Sequence, residues 1–202
     1  MKIERNPYRI IWGSSYDRGL DILLKMWPDI KKAVPQAELH AFYGWQLFDQ
    51  FYRNNPERMA WKDKVLELLK QEGTFEHGRI PQHEMKVEML KSGVWAYPTW
   101  FFEINCINAQ KAQAYGCVPV VVNYAALKET VKFGKIVNLY DEKGNQTREI
   151  YDPEVQTEFK KVLIEALDPK WQEAVRPEMM KYALEHFTWA KTAEGWDYEF
   201  KN

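Results

Sequence analysis

The chain has 202 residues, of which 46% are hydrophobic and 28% are charged, and its formal net charge is -1. This length suits one medium-sized domain, or one domain with a helical appendage, that buries its core without disulfides or metals. Because there is no basic excess to attract a phosphate backbone, we expect no nucleic-acid partner.

The cysteines and the hydropathy of the sequence indicate the compartment in which the protein works. Cys106 and Cys117, the two cysteines, both lie in apolar stretches, and no group of cysteines and histidines has the spacing of a metal site. We therefore expect reduced thiols, no metal and no cofactor. No stretch approaches the roughly 20 apolar residues that span a bilayer, and the amino terminus lacks the apolar segment of a signal peptide. These features predict a cytoplasmic protein without a transmembrane segment.

The first 123 residues alternate between short apolar runs, which are typical of strands, and segments with helical spacing. Strands are predicted, in chain order, at residues 8–15, 37–45, 74–80, 94–98 and 117–123. Helices are predicted between them at residues 18–34, 54–73, 81–93 and 103–115. Alternation of this kind indicates βαβ crossovers, and hence an α/β domain with a parallel sheet flanked by helices.

The remainder of the chain is mostly helical. Residues 139–153 are polar and are predicted to form a loop or the tip of a hairpin. Two helices are predicted at residues 154–167 and 170–189. We therefore divide the chain into an α/β domain, residues 1–153, and a carboxyl-terminal helical extension, residues 154–202, that packs on it.

The loop after the first predicted strand has the residues of a phosphate site. Ligands of open parallel sheets bind at the carboxyl ends of the strands. Here Ser14 and Ser15 offer hydroxyl and amide groups, and Arg18 places a positive charge at the start of a helix. A plain turn with a serine or aspartate helix cap is the alternative. The spacing is neither that of a dinucleotide-binding loop nor that of a P-loop.

The loop after the strand at residues 94–98 is the second candidate. Glu103 is predicted at or near the first turn of the next helix, where the helix dipole favours an acidic side chain. In the functional interpretation the Glu103 carboxylate accepts hydrogen bonds from sugar hydroxyls, while free amides face an anionic diphosphate. Those amides belong to Ile104, Asn105 and Cys106. Helix capping is the alternative role for Glu103.

Four stretches, in this order along the chain, resemble the carboxyl-terminal half of retaining glycosyltransferases with the GT-B fold, the group 1 glycosyltransferases. They are residues 14–45, 77–85, 94–131 and 186–196. The resemblance implies a Rossmann-like domain that binds a nucleoside diphosphate sugar, with UDP or GDP as the nucleotide. It also implies that the sugar is a hexose, transferred with retention of configuration and without a protein nucleophile.

The resemblance assigns roles to single residues. Arg18 matches the family's basic phosphate-binding residue, and Glu103 matches the first of two paired glutamates, the catalytic residue that contacts the donor sugar. The turn that approaches the nucleobase corresponds to Gly78, Arg79 and Ile80. The second glutamate, which would contact the ribose, is replaced by Lys111. A lysine donates hydrogen bonds but accepts none, so Lys111 either reaches a phosphate, which we favour, or weakens nucleotide binding; a merely solvated lysine is the alternative.

The resemblance also implies an acceptor-binding, amino-terminal domain that this chain lacks. We therefore expect turnover only with a separate amino-terminal domain or a homodimer partner. Two alternatives stay open: a non-catalytic module that binds a nucleotide or sugar phosphate, and a structural dimer that pairs through the interdomain face. The chain has no pair of positioned acids of the kind that glycoside hydrolysis needs.

Overall fold

The computed structural model describes residues 3–201. Its centre is a parallel sheet of six strands: β1 (Asn6–Trp12), β2 (Glu38–Ala41), β3 (Thr74–Glu76), β4 (Ser92–Tyr97), β5 (Val118–Val122) and β6 (Lys135–Val137). The strands lie in the order β3-β2-β1-β4-β5-β6. The predicted α/β fold with a Rossmann-like parallel sheet is therefore confirmed.

Helices cover both faces of the sheet. In chain order they are α1 (Leu20–Ala33), α2 (Gln46–Tyr52), α3 (Pro56–Leu68), α4 (Gln82–Lys91), α5 (Ile107–Ala114), α6 (Leu127–Thr130), α7 (Pro153–Ala166), α8 (Pro169–His186) and α9 (Trp189–Lys201). Helix α1 packs against α3 and α7, whereas α5 packs against α8. Every residue of β4 and β5 is buried, which explains why both strands read as continuous apolar runs rather than as alternating patterns.

The order of the strands creates a crevice at the carboxyl ends of β1 and β4. The chain leaves β1 toward β2 on one side and later returns to β4 on the other, so the loops that follow the two strands diverge. Such a reversal point is where open α/β sheets bind their ligands. Both loops singled out in the sequence, after β1 and after β4, lie at this crevice.

A glycine brings the two sides of the crevice together. Gly19, which precedes α1, has a φ of 122°, and a Cβ atom on it would lie 2.3 Å from the carbonyl oxygen of Pro98. A side chain at this position would therefore push the start of α1 away from the end of β4. The glycine after Arg18 is thus required by the packing of the backbone.

Several predicted boundaries are wrong. The second predicted strand ends at Ala41, and a turn through Gly44 leads into α2, which was not predicted. Strand β6 and helix α9 were also missed: β6 has only three residues, too few for a pattern, and α9 has no buried side chain. The helix predicted at residues 103–115 begins only at Ile107.

The carboxyl-terminal helices differ in how they pack. Helix α7 contacts β5 and β6, and α8 contacts α5 and β1, whereas α9 is exposed along its length. Before α7, Tyr140 and Gln146 form an antiparallel bridge, as expected of a hairpin tip. Among residues 3–201, no helix combines the length and apolar character that crossing a bilayer requires.

Candidate functional site

The structure joins two residues that the sequence placed on separate loops. Arg18, after β1, donates a hydrogen bond from Nη1 to Oε1 of Glu103, after β4, at 3.1 Å. The Glu103 side chain is only 11% exposed and that of Arg18 is 32% exposed. This ion pair spans the crevice and fixes both side chains at its floor.

Tyr97, the last residue of β4, completes the cluster. Its hydroxyl donates to the same Oε1 of Glu103 at 2.7 Å and lies 3.2 Å from Oγ of Ser14. Burial raises the pKa of the Tyr97 hydroxyl, so it remains a hydrogen-bond donor at neutral pH. Sequence reasoning treated Tyr97 only as part of a buried strand; the signal that could have found it is a polar-tipped aromatic residue at a strand's carboxyl end.

One oxygen of Glu103 remains available. Both hydrogen bonds to the carboxylate end on Oε1, and Oε2 has no partner among residues 3–201. An ionised carboxylate oxygen accepts hydrogen bonds and donates none. The site therefore presents a fixed acceptor suited to a ligand hydroxyl.

Further contacts fix the Arg18 guanidinium and the Glu103 backbone. The guanidinium carbon lies 3.7 Å from the centre of the Phe101 ring, a cation–π contact. The Glu103 N–H donates to the carbonyl of Phe101 at 2.9 Å, and its own carbonyl accepts from the N–H of Ala126 at 3.1 Å. Glu103 thus lies in an ordered loop four residues before α5, and the predicted start of the helix at Glu103 is wrong.

The same correction applies to the three residues that follow Glu103. They were predicted to supply the free amides of a helix start, but they belong to the loop. The Ile104 side chain is 89% exposed, and Oδ1 of Asn105 accepts from Gln110 Nε2 at 3.0 Å. Cys106 is buried just before the helix, and this burial raises the pKa of its thiol to about 12, so the thiol is neutral.

The true start of α5 is tied to the loop after β1. Nδ2 of Asn108 donates to the carbonyl of Gly13 at 2.7 Å. Since α5 begins at Ile107, the positive end of its dipole lies beside this loop. Asn108 was not identified from the sequence because its role depends on a contact with a residue 95 positions away.

The two serines of the first loop have partners within the protein. Ser14 is buried beside Tyr97, and its carbonyl accepts from Nε1 of Trp12 at 2.7 Å. The Ser15 hydroxyl donates to Oδ1 of Asp17 at 2.7 Å. A phosphate at this loop would therefore meet the Arg18 guanidinium rather than free serine hydroxyls.

The turn predicted to approach a nucleobase is held by two hydrogen bonds of Gly78. Gly78 has a φ of 68°, its N–H donates to Oε1 of Glu76 at 3.0 Å, and its carbonyl accepts from the N–H of Tyr43 at 2.8 Å. A Cβ atom on Gly44 would lie 3.1 Å from the Arg79 nitrogen, so the two turns are in contact.

Lys111 lies on α5 and points to the segment that follows this turn. Its Nζ donates to Oε1 of Gln82 at 2.7 Å. Gln82 is the first residue of α4 and follows Ile80, which packs partly buried against the core. The structure therefore connects Lys111 with the predicted nucleobase side of the crevice, and not with the Arg18–Glu103 pair.

Comparison with known proteins gives matches of structure. No family model matches the chain, and no curated protein matches its sequence. A structure of a GtfA/B complex matches with a TM-score of 0.72 at 12% identity, covering 99% of this chain and 37% of that one. The pneumococcal O-GlcNAc transferase GtfA in complex with UDP and GlcNAc matches with a TM-score of 0.70 at 12% identity, covering 98% and 36%. Sucrose-phosphate synthase from Thermosynechococcus elongatus matches with a TM-score of 0.72 at 18% identity, covering 96% and 44%. This chain thus spans less than half the length of each of these three proteins.

Proposed function

We propose that this chain, which has the fold of the carboxyl-terminal domain of GT-B glycosyltransferases, binds a nucleoside diphosphate sugar and supplies its hexose for transfer. The observation that carries the proposal is the cluster of Arg18, Glu103 and Tyr97 at the point where the strand order reverses. One matched protein, the pneumococcal transferase, is described as a complex with UDP and GlcNAc, which favours UDP over GDP as the first nucleotide to test.

The chemistry of the cluster suits this substrate. Glu103 offers Oε2 to a hydroxyl of the sugar, and Tyr97 keeps the carboxylate in place. A guanidinium has five N–H donors, and Glu103 accepts a hydrogen bond from Nη1 only. Arg18 can therefore bind the diphosphate while it stays paired with Glu103. Gly78, Arg79 and Ile80 would face the base, and Lys111 would exchange its hydrogen bond to Gln82 for one to a phosphate oxygen when the nucleotide binds.

In the reaction that we propose, an acceptor hydroxyl oxygen forms a bond to the anomeric carbon while the bond from that carbon to the phosphate oxygen breaks. The leaving phosphate takes the acceptor proton, and configuration is retained. No side chain then has to act as nucleophile. The protein holds the sugar and stabilises the charge that develops on the phosphate.

Transfer also needs an acceptor, which we propose is held by a separate amino-terminal domain or by a partner chain. Two observations support this part of the proposal: the chain spans only 36–44% of the three proteins compared above, and large apolar side chains are exposed at the crevice rim, namely Trp100, Phe102, Ile104 and Ile107. Because the reacting groups must be held in line, the isolated chain should bind the sugar nucleotide without appreciable transfer. We place it in the cytoplasm, where Cys106 and Cys117 stay reduced.

Calorimetric titration with UDP and GDP tests the site. Arg18→Ala should weaken binding at least tenfold, because a charge-assisted hydrogen bond contributes roughly 1.5–3 kcal/mol. Arg53→Ala, which removes an exposed arginine at the end of α2, is the charge-matched control and should leave the affinity unchanged. Equal affinity of the Arg18→Ala variant and the unaltered chain would contradict the site.

A non-catalytic nucleotide-binding module is the second candidate, and the lysine at position 111 favours it. The two candidates differ in turnover. Release of UDP from UDP-glucose or UDP-GlcNAc should require a supplied acceptor domain if the chain is part of a transferase. A chain that binds UDP but never releases it from a sugar nucleotide, with any acceptor domain supplied, fits the module instead.

A further inference from the structure

A cavity of about 520 Å³ lies beside Arg18, outside the cluster described above. Its walls come from the loop after β1, the turn after β2, helix α2, the start of α3 and the loop after β4. Cavities of this size accommodate small organic ligands. None of the residues predicted from the sequence, apart from Ser15 and Arg18, lines it.

Half of the residues that line the cavity are aromatic. These aromatic residues are Tyr43, Phe48, Phe51, Tyr52, Trp100 and Phe101. Phe51 is 74% exposed and Trp100 is 41% exposed, so these two leave broad apolar surface open to a ligand. Flat aromatic faces of this kind suit the C–H faces of sugar rings, which are apolar although the ring edges carry hydroxyl groups.

The charges in the cavity are compensated. Arg18 is paired with Glu103 at 3.1 Å, and Nη2 of Arg58 donates to Oδ2 of Asp17 at 2.8 Å. The Arg58 guanidinium is also held over the Tyr52 ring, 4.5 Å from its centre. Asp17 compensates the charge of Arg58, and Arg18 is assigned to Glu103 and the donor diphosphate, so no uncompensated positive charge remains for a second anion and the cavity favours a neutral ligand.

Polar groups are nevertheless available for ligand hydroxyls. The side-chain NH₂ group of Asn55 and the hydroxyls of Tyr43 and Tyr52 have no hydrogen-bond partner within residues 3–201. The amide NH₂ group donates hydrogen bonds, and the two hydroxyls both donate and accept. Aromatic faces combined with a few neutral polar groups are the features by which a protein recognises an uncharged carbohydrate.

We propose that this cavity binds one neutral saccharide unit of the acceptor, the rest of which the amino-terminal domain or partner chain holds. Arg18 and Phe101 line the cavity. Arg18 also donates a hydrogen bond to Glu103, and Phe101 packs against the Arg18 guanidinium. A saccharide in the cavity therefore lies next to the sugar donor. The assignment as acceptor rests on the proposed function. The bond changes are those of the transfer itself: an acceptor hydroxyl oxygen attacks the anomeric carbon, the nucleoside diphosphate leaves, and its phosphate takes the proton.

Saturation-transfer difference NMR on the full 202-residue chain tests this proposal. The probes are methyl α-D-glucopyranoside, methyl α-D-mannopyranoside and methyl N-acetyl-β-D-glucosaminide, each with and without UDP. We expect a saturation-transfer signal for at least one glycoside. Trp100→Ala and Phe51→Ala should each raise the Kd of that glycoside at least fivefold. Trp196→Ala, which removes a 60% exposed tryptophan from α9, is the matched control and should leave the Kd unchanged.

The outcomes separate this inference from the proposed function. If none of the three glycosides gives a saturation-transfer signal, or if neither cavity variant changes the Kd, the proposed saccharide site is wrong. With the donor site saturated by UDP, stronger binding of glucose 1-phosphate than of the methyl glucoside would show that the cavity does not prefer a neutral ligand. If a glycoside binds but calorimetry detects no UDP binding, the proposed function fails and with it the assignment as acceptor; if UDP binds and no glycoside does, only this inference fails.

Discussion

His40 and His77 form a stacked pair beside a buried arginine. Their rings are nearly parallel with centres 5.1 Å apart, and Nδ1 of His40 lies 2.9 Å from Nε2 of His77. Nη2 of Arg9 lies 3.0 Å from the same Nδ1, while Arg9 itself is paired with Glu88. Burial and the nearby Arg9 charge lower the pKa of His40 to about 4, although Glu38 opposes this shift, and the same two causes lower the pKa of His77.

This pair predicts a loss of stability in mild acid. Because the folded pKa of His40 lies below its ordinary value of 6.5, the unfolded chain binds more protons between pH 6.5 and 4. Stability is then full above pH 6.5 and falls as the pH approaches 4, by an amount on the order of 2 kcal/mol. Urea denaturation between pH 7.5 and 4.5 measures this fall, and His40→Gln should reduce it. The exposed His83 provides the control, since His83→Gln should keep the full dependence; an unaltered pH profile in His40→Gln would refute the assignment.

Lys111 allows charge and hydrogen bonding to be tested separately. Lys111→Glu inverts one charge on the wall of the proposed nucleotide site, so UDP should bind about fivefold more weakly, while uncharged uridine should be nearly unaffected. Calorimetry with both ligands measures the difference. Lys170→Glu, an exposed change at the start of α8, should alter neither affinity. Tighter binding of uridine by Lys111→Glu would instead mean that position 111 faces the ribose.

At the level of the elements, Gly19 sets the distance between α1 and the end of β4. Gly19→Ala places a methyl group 2.3 Å from the Pro98 carbonyl oxygen, at a φ of 122°. We expect the free energy of unfolding to fall by about 2–4 kcal/mol, because both overlap and backbone strain must be relieved. Urea denaturation measures the loss.

The matched control is Gly195→Ala in α9, where a new Cβ atom meets nothing within 4 Å. Alanine favours helix over glycine, so this change should be neutral or slightly stabilising. Similar free energies of unfolding for the two alanine variants would contradict the close packing at Gly19.

The elements that the sequence predicted correctly are those with a pattern of their own. The apolar runs of β4 and β5 and the one-sided pattern of α1 identify their structure locally. The start of α5 could not be found in this way. Residues 103–106 stay out of the helix because Glu103 is held by Tyr97 and Ala126, and neither contact is visible in the local sequence.

The sequence predicted only part of the candidate site. Arg18 and Glu103 were recognised because they occupy the family's motif positions, and the structure brings them together. Tyr97, Phe101 and Asn108 were missed, since each acts through a partner that only the folded chain supplies.

In the molecule as a whole, α9 stands apart from the core. Trp189, Trp196 and Phe200 are exposed, and none of the helix's side chains is buried. A chain that ends at Thr188 should therefore keep its free energy of unfolding within about 0.5 kcal/mol and should keep its affinity for UDP. Urea denaturation and calorimetry measure both.

A longer truncation provides the contrast. A chain that ends at Asp168 also loses α8, which buries Met179 and Ala183 against the domain, and this variant should be destabilised by several kcal/mol. A loss above about 1 kcal/mol on removal of α9 alone would show that the helix is part of the cooperative fold.

The pairing of β1 with β4 also has a consequence for how the protein is made. Arg18 and Glu103 are 85 residues apart, and closing a loop of that length costs about 4 kcal/mol of chain entropy before its contacts form. As the chain emerges from the ribosome, β1 can pair with β2 early, whereas its other edge has to wait for β4. The crevice therefore comes into existence only when the sheet closes, and nucleotide binding should report on completed folding rather than on any partly folded chain.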